Sequence, residues 1–133
     1  MKRATGGTEA AAPPDGARAL LLELTTAAGA GEATAAAFYA RASERLRGAF
    51  GAEQHFARAL GNDRFLPLLL AGEVRLAAVE RIGDSARGTL VATGSAAAGE
   101  PPATFILAVA VARHGPHAGE WRLSGVAREG VDL

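Results

Sequence analysis

"ATFILAVAVAR", residues 103–113, decides the fold. Read with a period of two, Phe105, Leu107, Val109 and Val111 fall on one face, and Thr104, Ile106, Ala108, Ala110 and Ala112 on the other. Both faces are apolar, the pattern of a strand in the middle of a sheet. Its strictly apolar part, Phe105 to Ala112, is far too short to span a bilayer. The faces differ in bulk. The Phe/Leu/Val face is suited to packing a layer of helices, whereas the Ile/Ala face is smooth and no helix remains to cover it.

Working outward from that strand, the same period appears three more times. "EVRLAAVERI" (73–82) alternates Val74 and Leu76 with Glu73 and Arg75, and "ARGTLVATG" (86–94) follows the turn Gly83-Asp84-Ser85. "GEWRLSGVAR" (119–128) closes the set, with Trp121 and Leu123 on one face and Glu120, Arg122 and Ser124 on the other. The connecting loops "SAAAGEPP" and "HGPHAG" carry Gly and Pro, as hairpin connections do. Gly125 marks a bulge or a close backbone approach.

N-terminal to the strands the period lengthens to that of helices. "ARALLLELTTAA" (17–28) puts Leu20, Leu21 and Leu24 on one face and is stopped by Gly29 and Gly31. "EATAAAFYARA" (32–42) places Ala36, Tyr39 and Ala40 together, and Ser43 reads as the N-cap of a short helical turn. "AEQHFARAL" (52–60) turns Phe56, Ala59 and Leu60 inward, and Pro67 suits the first turn of another short helix. Helices first and an antiparallel meander of four strands after them predict an α+β domain with the helices on one face of the sheet. Residues 17–130 form that single domain, preceded by a flexible arm over 1–16 and followed by a tail over 131–133.

Composition bounds the function. At 133 residues the chain supports one core, and with 49% hydrophobic but only 5% aromatic residues that core is built from Ala, Val and Leu. Fourteen basic and 14 acidic residues cancel, and no basic stripe of the kind nucleic acid requires is visible. Thirteen of the basic residues are Arg, which reads either as anion recognition or as a compositional bias shared with Ala, Gly and Pro. Cysteine is absent, so thiol chemistry is excluded. The start "MKRATGGTEAAAPPDG" has no apolar segment behind its basic tip and does not read as a secretory signal. A soluble protein of the cytoplasm or an organelle interior is expected.

A helical half followed by a curved antiparallel sheet resembles the cone-shaped nuclear-transport-factor-2-like superfamily. "GEATAAAFYARASERLRGAFGAEQHFARAL" and "RFLPLLLAGEV" resemble the helical elements of an uncharacterised family within it. "GEWRLSGV" is similar to that family's closing signature, carried here by Gly119, Trp121, Arg122, Leu123, Gly125 and Val126. The resemblance covers roughly residues 18–127. It implies a cone-shaped domain and no particular activity, since the superfamily holds isomerases and cyclases beside transport and scaffolding modules.

The candidate sites follow. Trp121 reads first as a core anchor and second as a ligand-stacking residue. Tyr39, the only tyrosine, could line a pocket with it and imitate the oxyanion-hole tyrosine of ketosteroid isomerases. That chemistry also needs an acid and a base, and no Asp falls inside a strand. His114 and His117 share one loop with Glu120 near in sequence, but a Gly-Pro turn is a poor support for a metal, and His55 reads as a solvated helix residue. No phosphate-binding loop or serine nucleophile motif is present. Ile106, Ala108, Ala110 and Ala112 form a smooth apolar strip that invites a partner. The leading expectation is a non-catalytic interaction module, acting as a homodimer or complex subunit through that strip, or through a small apolar pocket with an apolar ligand. The alternative is a small-molecule isomerase or cyclase. Neither metal nor cofactor is implied, and no nucleic-acid or membrane-spanning role.

Overall fold

The computed structural model describes residues 16–94, 102–128 and 131–132. Five helices, α1 (Gly16–Ala27), α2 (Glu32–Ala40), α3 (Glu44–Phe50), α4 (Glu53–Leu60) and α5 (Leu66–Leu70), precede the strands. The strands β1 (Glu73–Ile82), β2 (Ser85–Thr93), β3 (Ala103–Val111) and β4 (Trp121–Arg128) form an open antiparallel meander. A two-residue strand, β5 (Val131–Asp132), pairs with the end of β4 where the sequence pattern predicted only a tail. α1 begins one residue before the expected start. The expected arm and the loop around 95–101 lie outside the described residues, except for Gly16 at the head of α1.

Two bulges set which residues face the helices. Leu76 pairs with Leu90 and Ala78 with Thr89, so Ala77 is the extra residue of β1. Across β3 and β4, Ala108 pairs with Gly125 and Val109 with Leu123, which makes Ser124 the extra residue. A strict two-residue period would turn Val79 away from Val74 and Leu76, and Val126 away from Trp121 and Leu123. Each bulge restores the apolar set to one face.

That face carries the core. Phe105, Leu107, Val109, Leu90, Leu123 and Val126 are buried against Leu21, Leu24, Phe38, Phe56, Phe65 and Leu68 of the helices. The aromatics, though few, occupy the space between the layers: Phe65 lies 6.1 Å from Phe105, and Phe56 meets Tyr39 at 5.7 Å and Phe50 at 5.3 Å. In α2 the inward residues are Thr34, Ala35 and Phe38, with Tyr39 beside them, rather than Ala36 and Ala40. Thr34 tolerates burial because its hydroxyl donates to Ala27 O at 2.7 Å and accepts from Ala30 N at 2.8 Å, tying α2 to the end of α1. α1 lies close over the sheet at Gly88, where a Cβ would stand 2.8 and 2.9 Å from the two Leu21 methyls.

Candidate functional site

The opposite face of the sheet, the smooth one, is where the structure departs most from what spacing alone predicts. The register aligns Ala78, Thr89, Ile106 and Ala127 in one row, Glu80, Arg87, Ala108 and Gly125 in the next, and Ile82, Ser85, Ala110 and Arg122 in a third. Ile106, Ala108, Ala110 and Ala112 are all half-buried rather than fully exposed. A helix does approach this face. Ser43 caps α3 by accepting from Leu46 N at 3.1 Å, and Ala42 forms a parallel bridge with Leu123 on the edge of β4. Two backbone bonds hold it, Leu123 N to Arg41 O and Ser43 N to Leu123 O, both 2.8 Å. The chain thus turns around the β4 edge, and α3 rises as a wall beside the open face.

Arg122 fastens this turn. Alternation points it to the open face, where an arginine is ordinarily solvated, yet only 3% of its surface is exposed. Its Nη2 donates to Ala40 O at 2.7 Å and Ala42 O at 3.3 Å, and its Nη1 to Glu120 Oε1 at 3.3 Å. Arg47 adds bonds to Tyr39 O at 3.2 Å and Ala40 O at 2.9 Å. The two guanidinium groups therefore share the Ala40 carbonyl at the end of α2, and Arg47 gives Tyr39 O a donor beside Ala42 N at 3.1 Å, where the helix dipole also favours a cation. Burial pushes the Arg122 guanidinium down from its ordinary value; Glu120 opposes this, and Arg47 and Arg41 add to it. An arginine so shifted keeps its charge at any physiological pH.

Between α3 and the sheet runs a half-open groove of about 590 Å³. Arg45, Leu46 and Ala49 of α3 form one wall, and Arg87 of β2 stands on the other side. Ala108 and Gly125 lie between them as the floor, with Ile106 and Ala127 alongside. Two members of the expected strip, Ile106 and Ala108, line this groove, while Ala110 lies further along β3 and Ala112 just past its end. The arginines had no signal in the sequence, because only strand register and the course of α3 bring them to the same place.

The other candidates are placed separately. Trp121 is buried on the helix side, not in the groove: the start of α1 presses on its indole, a Cβ at Gly16 would overlap the ring, and the Arg81 guanidinium lies 5.0 Å from the ring centroid. Tyr39 packs on Phe56 with the Arg47 guanidinium 5.2 Å from its ring centroid. The two have different neighbours, and neither lines the groove. Every Asp and Glu whose side chain is described is exposed, so the interior presents no acid to Tyr39. His117 Nδ1 lies 3.3 Å from Glu120, His55 Nδ1 3.0 Å from Phe50 O, and His114 is exposed. Among the described residues no three His, Asp or Glu side chains converge on a metal position, and no helix is long and apolar enough to cross a membrane.

Compared with known proteins, the chain matches no family model, no curated sequence and no solved structure.

Proposed function

We propose that this domain is a non-catalytic interaction module of the nuclear-transport-factor-2-like kind, and that it works through the open face of its sheet by pairing with a second copy of itself. The observation that carries this reading is the half-buried run Ile106, Ala108 and Ala110 on the inner strand β3, flanked by Gly125 and Ala127 on β4. Small residues on a flat face permit close approach of another sheet, and a contiguous apolar surface facing water is a liability unless it is covered. The neighbouring strands favour a copy of the same chain. On this face β1 carries Glu73, Arg75 and Glu80, and β2 carries Arg87, so both signs of charge border the strip and a two-fold axis can set one against the other. The isomerase or cyclase reading needs a carboxyl group buried beside Tyr39, and among the described residues none stands there.

The test is the mass of the protein in solution. Ala110 faces outward opposite Arg122 and Ser85, so Ala110→Glu sets a carboxylate in the strip without placing like charges side by side. Buried in a sheet-to-sheet contact, that carboxylate would be desolvated beside an Arg122 whose Nη groups are already engaged by Ala40 O, Ala42 O and Glu120. Light scattering after size exclusion is expected to give a dimer for the wild type and a monomer for Ala110→Glu, with an unchanged circular dichroism spectrum. A wild type that is monomeric at every concentration overturns the pairing.

A further inference from the structure

We propose that the groove between α3 and the open sheet face is a binding site for a small amphipathic carboxylate, its apolar body on the Ala108–Gly125 floor and its carboxylate at the arginine rim. This deepens the preceding reading and rests on it in one respect, that the open face is a surface that binds; because Ile106, Ala108, Gly125 and Ala127 belong to both, the carboxylate and a second copy compete for them.

Charge comes first. Arg45 and Arg87 reach the groove from different elements, and among the described side chains no acid lines it. Neither arginine has a hydrogen-bond or ion-pair partner among the described residues, and even Glu80, opposite Arg87 in the β1–β2 ladder, is not paired with it. Arg41, Arg47, Arg113, Arg122 and Arg128 are bonded within the fold, whereas the other unpaired guanidinium groups, on Arg18, Arg58, Arg64 and Arg75, do not line the groove. Two free guanidinium forks beside an apolar floor favour an anion with an apolar body, since the fork matches a carboxylate in two parallel bonds. A phosphate generally draws on a cluster of backbone N–H groups, and the backbone of this floor is engaged in the sheet ladder.

The floor supplies an independent observation. Gly125 does not have a left-handed φ, so backbone conformation does not demand glycine there. Packing does not demand it either, because a Cβ at Gly125 would meet only the Ala108 Cβ, at 3.8 Å, an ordinary contact. What the missing side chain does is keep the floor low. Ala108 and Ala127 act the same way, and Leu46 and Ile106 supply aliphatic sides. A volume of about 590 Å³ lies within the range of small-molecule sites.

The probe is decanoate, titrated into the wild-type protein well below its micelle concentration, with decylammonium as the tail-matched cation. Calorimetry is expected to show saturable binding of one decanoate per chain, at least tenfold tighter than decylammonium. Amide shifts are expected at Ile106, Ala108, Gly125 and Ala127. Arg45→Gln with Arg87→Gln should weaken decanoate about tenfold at unchanged melting temperature, the loss of one charge-assisted interaction. Gly125→Leu should abolish binding by filling the floor, and Ala127→Leu, at a half-exposed position, does the same job if the first variant melts early. Equal affinity for both tails, binding that never saturates, shifts confined to other surfaces, or no binding at all would each overturn the site. The two readings fail separately: a monomeric wild type that binds decanoate loses the pairing and keeps the groove, and a wild type that dimerises but ignores decanoate even at the dilution where it is monomeric does the reverse.

Discussion

Replacing Arg122 with methionine isolates a buried charge, the one such group among the described residues, that ties the helical layer to the sheet edge. Methionine keeps most of the unbranched stem and removes the guanidinium. Of the two carbonyls Arg122 serves, Ala40 O keeps a donor in Arg47 at 2.9 Å, while Ala42 O loses its only described donor. A buried carbonyl left without a donor costs about 1–3 kcal/mol, and the charge-assisted bonds are worth about 1.5–3 kcal/mol each. Against that stands the desolvation of the guanidinium, several kcal/mol, which the variant escapes. Glu120 is half exposed and takes water in exchange. The net expectation for Arg122→Met is a loss of about 2 kcal/mol, or roughly 6–10 °C in melting temperature for a domain of this size. Thermal melts and urea titrations measure it, with an unchanged m-value showing that the unfolded state is not the cause. Amide exchange adds a local signature: Ser43 and Leu123, whose N–H groups make the parallel bridge, should lose protection before the core of β3 does. A methionine variant as stable as the wild type, with Ser43 still protected, would refute the role of Arg122 as the clasp.

Two further substitutions probe how the layers meet. Trp121→Ala should cost about 3–4 kcal/mol in urea unfolding, because the indole supports the start of α1 and is nearly enclosed; a variant that unfolds like the wild type would return Trp121 to a surface role. Gly88→Ala should destabilise by about 1–3 kcal/mol, since its Cβ would press on both Leu21 methyls and stand 3.1 Å from Leu76. A neutral result there would mean that α1 sits higher over the sheet than described.

Periodicity made the layers legible, and non-local packing hid the rest. Leu20, Leu21 and Leu24 on α1, and the alternation of β2, declare their inward faces because polar residues mark the outward ones, while β3 declares its inward face by bulk. α2 has no such contrast: "EATAAAFYA" is apolar nearly all round, so its buried face, Phe38 with Thr34 and Ala35, depends on neighbours rather than on pattern. The spacings 74, 76, 79 and 121, 123, 126 did contain the bulges, as breaks in a two-residue period. Arg122 is different. Its burial is produced by Ala40 and Ala42, some 80 residues away in the chain, and alternation can only say which face it leaves from. The groove shares that character. Ile106 and Ala108 belong to the legible strip, but Arg45 and Arg87 join them only once strand register and the turn of the chain around β4 are known. β5, with two residues, is too short to carry any period.

Binding by the open sheet face is read from amide spectra followed from dilute to concentrated protein. Concentration-dependent shifts are expected to cluster at Ile106, Ala108, Ala110 and Ala112, with exposed helix positions such as Leu22 unmoved. Shifts centred on the helical layer, or a spectrum independent of concentration, would contradict it.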